Sequence, residues 1–229
     1  MIRGFGNFIQ MTDQLILKFP NNKIYSKDDF YVSSSNQQAY DFINSWPNWM
    51  KRIVNIYGPQ GSGKTHIASI LKSKTQAMEI EAKSLNNKTF FEFKIKEVLI
   101  IDNLDEQVSE NLLFSIWNAA LQDNKYLLIT SIKPINFYKF KLSDLKSRTN
   151  SCLSIGIKLP SDDLISVILA KNFSDKQIKV EKKHIDYIIK RIDRSYEKIS
   201  LFISILDKYS LKKGSPFNLK LIKEVLKMV

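Results

Sequence analysis

The octapeptide "GPQGSGKT", residues 58–65, carries the spacing G-x-x-x-x-G-K-[S/T], sits after the apolar run "RIVNIY", and opens the helix-like stretch "HIASILKSK". Backbone amides of a glycine-rich turn at a helix N-terminus cradle phosphates, a lysine at this spacing reaches the β and γ phosphates, and the following hydroxyl ligates magnesium. Gly58, Pro59, Gln60, Gly61, Ser62, Gly63, Lys64, Thr65 and His66 are therefore the expected phosphate-binding set, with ADP or ATP and Mg2+ as the implied cofactors.

A second stretch, "VLIIDNLDE" (residues 98–106), delivers a carboxylate, Asp102, at the end of an apolar run. With a phosphate loop earlier in the chain, Asp102 is the expected water-mediated magnesium ligand, so Thr65 and Asp102 form the metal pair; the plainer alternative is a strand-end cap. Hydrolysis also needs a group that orients and polarises water. Asn103 stands where a second acid would serve, and an amide can hydrogen-bond but cannot take a proton at neutral pH. Asp105 and Glu106 come two and three residues later, past the expected strand end. Arg148, in "DLKSRTN", is either a surface ion-pair partner or an arginine able to reach a neighbour's phosphates, where such a finger is worth about 10³–10⁵ in rate. Near the start, Gln14, Leu15, Leu17 and Phe19 form a Q-x-x-L-x-F pattern, which suits either an extended peptide docking into a groove or a simple edge strand.

These residues need elements to hold them. The runs 52–58, 77–82, 97–102, 126–131 and 152–159 are short and rich in β-branched residues, as strands buried on both faces require, and helical patterns separate them. In "SENLLFSIWNAALQD", Leu112, Leu113, Ile116, Trp117 and Ala120 fall at helical spacing behind Ser109 as a possible cap. The spacing predicts an α/β domain with a five-stranded parallel sheet flanked by helices. After Pro160 the pattern is helical only: Ile185, Ile188, Ile189 and Ile192 repeat at i, i+3, i+4, i+7, then Ile199, Phe202, Ile203 and Leu206, and a last helix follows Gly214 and Pro216. The expected divisions are a tail at 1–24, a nucleotide-binding domain at 25–160 and a small helical unit at 161–229.

Composition sets bounds on partners. At 229 residues and 44% hydrophobic content the chain can bury a full core. The single Cys152 excludes an internal disulfide and points to a reducing, cytoplasmic setting, while His66 and His184 are too far apart in sequence to suggest a metal cluster. No apolar run approaches the roughly 20 residues of a membrane span, and "MIRGFGNFIQ" lacks a signal core, so no membrane partner is expected. Met11 is an alternative start. The net charge of +12 would attract nucleic acid, yet arginine occurs only at 3, 52, 148, 191 and 194, so the excess is diffuse lysine and any DNA contact would be non-specific.

Together these segments resemble the AAA+ ATPases of bacterial replication initiation, and specifically the Hda type, regulatory inactivators of the initiator DnaA. The likeness runs from Gln14 nearly to the end. "QLILKF" looks like that family's motif for the DNA polymerase sliding clamp, which implies clamp contacts from Gln14, Leu15, Leu17 and Phe19. "DDFYVSSSN" resembles the segment around the base and phosphate loop, implying roles for Phe30, Val32 and Asn36. "LSDLKSRTN" is similar to the box holding the arginine finger and places it at Arg148, acting in trans, while "RIDRSYEKISLFISILDKYS" and "FNLKLIKEVLKM" look like the lid, with Arg194 near the nucleotide. Two positions depart from the pattern. Ile132 falls where the initiator has its sensor 1 aspartate, leaving Thr130 or Ser131 as polar substitutes. Glu197 falls on the lid's sensor 2 arginine, with Lys198 and Arg194 beside it.

Those departures favour ADP over ATP and argue against self-hydrolysis. The resemblance implies a negative regulator of replication initiation that binds the clamp on DNA and stimulates hydrolysis of DnaA-bound ATP. Because the sequence stops at the lid helix, sequence-specific DNA reading is not expected. Two other readings stand beside it: a helicase-loader-like ATPase, and an adaptor that uses nucleotide only to fix its fold.

Overall fold

The structure, a computed structural model, describes residues 30–176, 178, 180–213 and 218–229. The expected tail with Gln14, Leu15, Leu17 and Phe19, and the break at Gly214 and Pro216, lie outside the described residues. The chain runs α1 (Gln37–Asn44), β1 (Ile53–Tyr57), α2 (Lys64–Lys74), β2 (Met78–Glu81), α3 (Asn87–Phe93), β3 (Val98–Leu104), α4 (Glu110–Gln122), β4 (Tyr126–Ser131), α5 (Ser143–Asn150), β5 (Leu153–Gly156), then α6 (Asp162–Asp175), α7 (Lys182–Ile189), α8 (Tyr196–Lys213) and α9 (Leu219–Leu226).

All five expected runs form strands, in one sheet of order β2-β3-β4-β1-β5, and every neighbouring pair is parallel; the expected burial on both faces holds for β1, β3 and β4, while the edge strands β2 and β5 are largely half-buried. Side-chain alternation sends Val54, Ile56, Val98, Ile100, Leu128 and Ile155 to the face covered by α1 and α2. Ile53, Leu99, Ile101, Leu127 and Ile129 go to the opposite face, under Leu113, Ile116 and Trp117 of α4 and Leu145 of α5. A third apolar cluster, from Ile165 to Val225, joins α6 to α9 through Ile188, Ile199, Phe202, Leu206 and Ile222. The iso-spaced isoleucines read from the sequence are the residues that meet there, although Ile185 and Ile189 sit at its margin.

Helix starts follow local chemistry in part. Ser161 accepts a hydrogen bond from the Leu164 amide and is followed by Asp162 and Asp163, which suits the positive end of α6. Asn218 caps α9 in the same way through the Leu221 amide. Ser109 precedes α4, but its side chain makes no capping bond, so the expected cap is positional only. In its place Glu110 reaches out of the helix to accept from the amides of Lys141 and Leu142, which ties α4 to the segment before α5.

One polar residue is built into the middle of the sheet. Asn55 on β1 is fully buried; its amide donates to the Ile129 carbonyl (3.1 Å) and the Ser131 hydroxyl (2.8 Å). Its carbonyl oxygen accepts from the Ile135 amide at 2.9 Å. Asn55 thereby fixes the turn that leaves β4. Asn55→Leu should lower the free energy of unfolding by about 2–3 kcal/mol, because it leaves buried donors and acceptors unmatched; urea titration would show the loss, and an unchanged midpoint would deny the residue this role.

Candidate nucleotide site

With β4 between them, β1 and β3 deliver their carboxyl ends to the same edge of the sheet, where the loop after β1 meets Asp102. Gly61 and Gly63 have φ of +79° and +90°, a left-handed backbone that only glycine adopts cheaply and that curls the loop around its own amides. Gly63 ends the loop as the N-cap of α2. A side chain at Gly61 would also come within 3.1 Å of the Tyr196 Cβ, and one at Gly63 within 3.2 Å of the Phe30 ring.

Lys64 is buried, and its ammonium donates to the carbonyls of Gly58 and Pro59 at 2.8 Å each. An ammonium has three donors, so one stays available toward the cleft that Lys64 lines. Burial pulls the Lys64 pKa below its usual value, with Asp102 opposing the shift. The hydroxyl of Thr65 donates to Asp102 Oδ2 at 2.9 Å, so the expected metal pair is already in contact across α2 and β3. Asn103 adds its side-chain amide to the same oxygen at 3.1 Å. The hydroxyl of Thr130 donates to Asp102 Oδ1 and accepts from the Asn103 amide at 2.9 Å.

The cleft over this loop has a volume of about 740 Å³ and is bounded by Gln60, Gly61, Gly63, Lys64, Thr65 and His66 on one side. Asn103, Leu104, Asp105, Ile132, Ile168 and Asn172 form the other. Strand β3 runs on to Leu104, two residues beyond the strand end expected from the apolar run, which brings Asp105 to the cleft wall. Glu106 turns away to pair with Lys133 at 2.7 Å. Ile132 is 65% exposed, so an aliphatic side chain occupies the cleft wall there. A smaller recess of about 180 Å³ continues from the loop, walled by Phe30, Tyr31, Asn36, Leu164, Val167 and Tyr196 among others. Its apolar walls and aromatic rings suit a flat base. Phe30 stacks on Tyr40 and meets His66 edge-on. Asn36 is buried with its side chain spent on the Ser33 amide and the Tyr31 carbonyl, so it shapes the segment before α1. Val32 is half-buried beside it and is not among the residues walling either space.

The lid residues fall differently. Arg194 pairs with Asp162 at 3.1 Å, at the start of α6, and walls neither space. Glu197 opens α8 beside a separate recess of about 520 Å³ that it shares with Gln60, Gly61, Tyr196 and Ser200. Lys198 donates to the Val229 carbonyl oxygen. The residue that sequence reasoning missed is Tyr196, which packs on Gly61 and donates to the Lys158 carbonyl at 3.2 Å. Burial raises the pKa of its phenol, against a smaller opposing effect from Ser35, so it stays protonated and able to donate. Arg148 stands exposed in the last turn of α5, away from this chain's own cleft, with no ion pair among the described residues. Cys152 is no candidate nucleophile, since burial raises its thiol pKa to about 12.

The structure of domain III of the Thermotoga maritima replication initiation protein DnaA superposes with a TM-score of 0.72 at 20% identity, covering 92% of this chain and 98% of that one. The fold is that of a DnaA-like AAA+ domain. AMPPCP-bound DnaA from Aquifex aeolicus is also similar, with a TM-score of 0.67 at 18% identity over 83% of this chain and 67% of that one. In sequence, the chromosomal replication initiator DnaA of Borreliella afzelii is 24% identical over 233 residues, which is 90% of this chain and 48% of the relative. The chain thus spans about half the length of the curated relatives it matches. No protein-family model matches it. None of the described helices is long and apolar enough to cross a membrane.

The glycine-rich loop, the Thr65–Asp102 contact and the base-sized recess fit a magnesium nucleotide. The buried hydroxyl of Ser62, which has no hydrogen-bond partner among the described residues, is a further polar group within the loop. Replacing Lys64 by Met keeps the aliphatic stem and removes the ammonium. Affinity for MgADP, read by calorimetry, should fall about 10- to 100-fold, the worth of one hydrogen bond to a charged group; an unchanged affinity would move the phosphates elsewhere.

Proposed function

We propose that this DnaA-like AAA+ domain binds ADP or ATP with Mg2+, ADP being favoured, and acts as a negative regulator of replication initiation. It docks on ATP-bound DnaA and stimulates hydrolysis of that partner's ATP. The observation that carries the reading is the division of catalytic groups. The cleft has the phosphate loop, Lys64 and Thr65, with buried Asp102 accepting from Thr65, yet an amide, Asn103, and an aliphatic chain, Ile132, stand on the wall where water would be oriented and polarised. Arg148, meanwhile, is exposed on α5 and without an ion-pair partner among the described residues.

In this reading Lys64 and the loop amides hold the β-phosphate end of the nucleotide, and Thr65 and Asp102 hold magnesium, which supplies charge neutralisation. Phe30, Tyr31 and Tyr196 enclose the base. Arg148 donates to oxygens of the phosphoryl group in transfer on DnaA, stabilising charge that develops only in the transition state. Residues 14–19 tether the protein to the sliding clamp on DNA, which raises its effective concentration near DnaA. Diffuse lysines add a salt-sensitive contact to DNA backbone. A reducing, cytoplasmic setting is part of the same proposal.

Asp105 favours a second reading. It walls the cleft and could serve as a base, which would make the protein a self-sufficient ATPase of the helicase-loader kind. Phosphate release separates the readings. Turnover by the protein alone, lost in Asp105→Asn, supports the loader; turnover only with DnaA, ATP and clamp on DNA supports the regulator; none in any mixture leaves an adaptor. Arg148→Ala should cut stimulated turnover by about 10³-fold or more, the worth of an arginine finger, with MgADP affinity unchanged. Persisting stimulation would refute the finger. Alanine at Gln14, Leu17 and Phe19 together should abolish clamp binding in surface plasmon resonance, and unaltered binding would reduce the motif to coincidence.

A further inference from the structure

Strand β3 bulges against β4 beside the metal pair. Ile101 lies opposite Ile129 and Leu104 opposite Ser131, so Asp102 and Asn103 share the single partner Thr130. Asn103 takes a left-handed φ of +56°, which turns its amide toward the Thr130 hydroxyl. Thr130 is fully buried and walls neither the cleft nor the base recess, so it touches no nucleotide held there.

A threonine hydroxyl has one proton and two acceptor lone pairs. Because the Asn103 amide donates into Thr130, the hydroxyl proton is left to point at Asp102 Oδ1. Asp102 in turn accepts the Thr65 proton at Oδ2, 2.9 Å away. The proton of Thr65 is thereby held on Asp102, which leaves the hydroxyl's two lone pairs free for a magnesium ion. The bonds converge on Asp102: the Asn103 backbone amide donates to Thr130, Thr130 donates to one carboxylate oxygen and Thr65 donates to the other.

We infer that Thr130 is a positioning residue for the metal pair, orienting the Asp102 carboxylate and, through it, the Thr65 hydroxyl. This rests on the magnesium-nucleotide reading of the cleft, and outer-shell partners of metal ligands typically alter metal affinity 10- to 100-fold. The Asn103 side-chain amide adds a further donor to Asp102 Oδ2 at 3.1 Å, a bond that an ionised acid at 103 could not supply.

The test compares ADP affinity with Mg2+ and with EDTA, by calorimetry, in the full chain. The wild-type protein should bind ADP more tightly with Mg2+, and Thr130→Val should shrink that enhancement about tenfold while leaving affinity in EDTA unchanged. Thr130→Ser should restore it. Should Thr130→Val not fold, Thr130→Ala reads the same quantity. Equal losses in both conditions, an intact enhancement, or no rescue by serine would overturn the inference. A wild-type protein with no Mg2+ enhancement would overturn the magnesium reading itself, a result distinct from a normal wild type with an unaffected variant.

Discussion

The contact between the Thr65 hydroxyl and the Asp102 carboxylate is the point on which the site depends, because it joins two segments 37 residues apart in sequence. It exists only because the sheet places β4 between β1 and β3 and keeps all three parallel, so that the loop after one strand and the acid on the other emerge at one edge. A change of register by one residue on β3 would send Asp102 to the opposite face. Asn55, buried among β1, β4 and the turn after it, pins that arrangement from below, while Lys64 closes the loop on its own carbonyls from above.

Electrostatics at the site are sparing. Buried Asp102 accepts from Thr65, and each of its oxygens accepts at least one hydrogen bond from a neighbour. The buried ammonium of Lys64 is partly offset by it. Among the described residues several exposed lysines are tied to carboxylates, such as Lys72 with Glu79 and Lys133 with Glu106. Such pairs are screened by salt and contribute little to stability.

Much of this was legible in the sequence because two signals do not depend on long-range geometry. Continuous apolar runs of four to seven residues mark strands buried on both faces, and a glycine-rich loop between a run and a helix marks a phosphate cradle. What stayed hidden depends on pairing between distant segments. The bulge at Asp102–Asn103 follows from where β3 meets β4, so the extension to Leu104 and the arrival of Asp105 at the cleft could not be read from "VLIIDNLDE" alone. Thr130 offered a faint signal, a polar residue inside the run "YLLITS", but its orientation is set by Asn103 across the sheet. Arg194 illustrates the opposite limit: a residue placed near the nucleotide by resemblance is drawn instead to Asp162 in the first turn of α6.

The position of β1 also has a consequence for the order of events during synthesis. Ile53–Tyr57 is hydrogen-bonded on one side to Tyr126–Ser131 and on the other to Leu153–Gly156, segments made long after it. Until both have left the ribosome, β1 has two unsatisfied edges, and the glycine loop that follows has no framework to hold it. Non-local pairing of this kind is slow because loop closure must precede any gain from contact. The loop is accordingly framed only after β5 has been made, and the recess beside it, walled also by Leu164, Val167 and Tyr196, only later still.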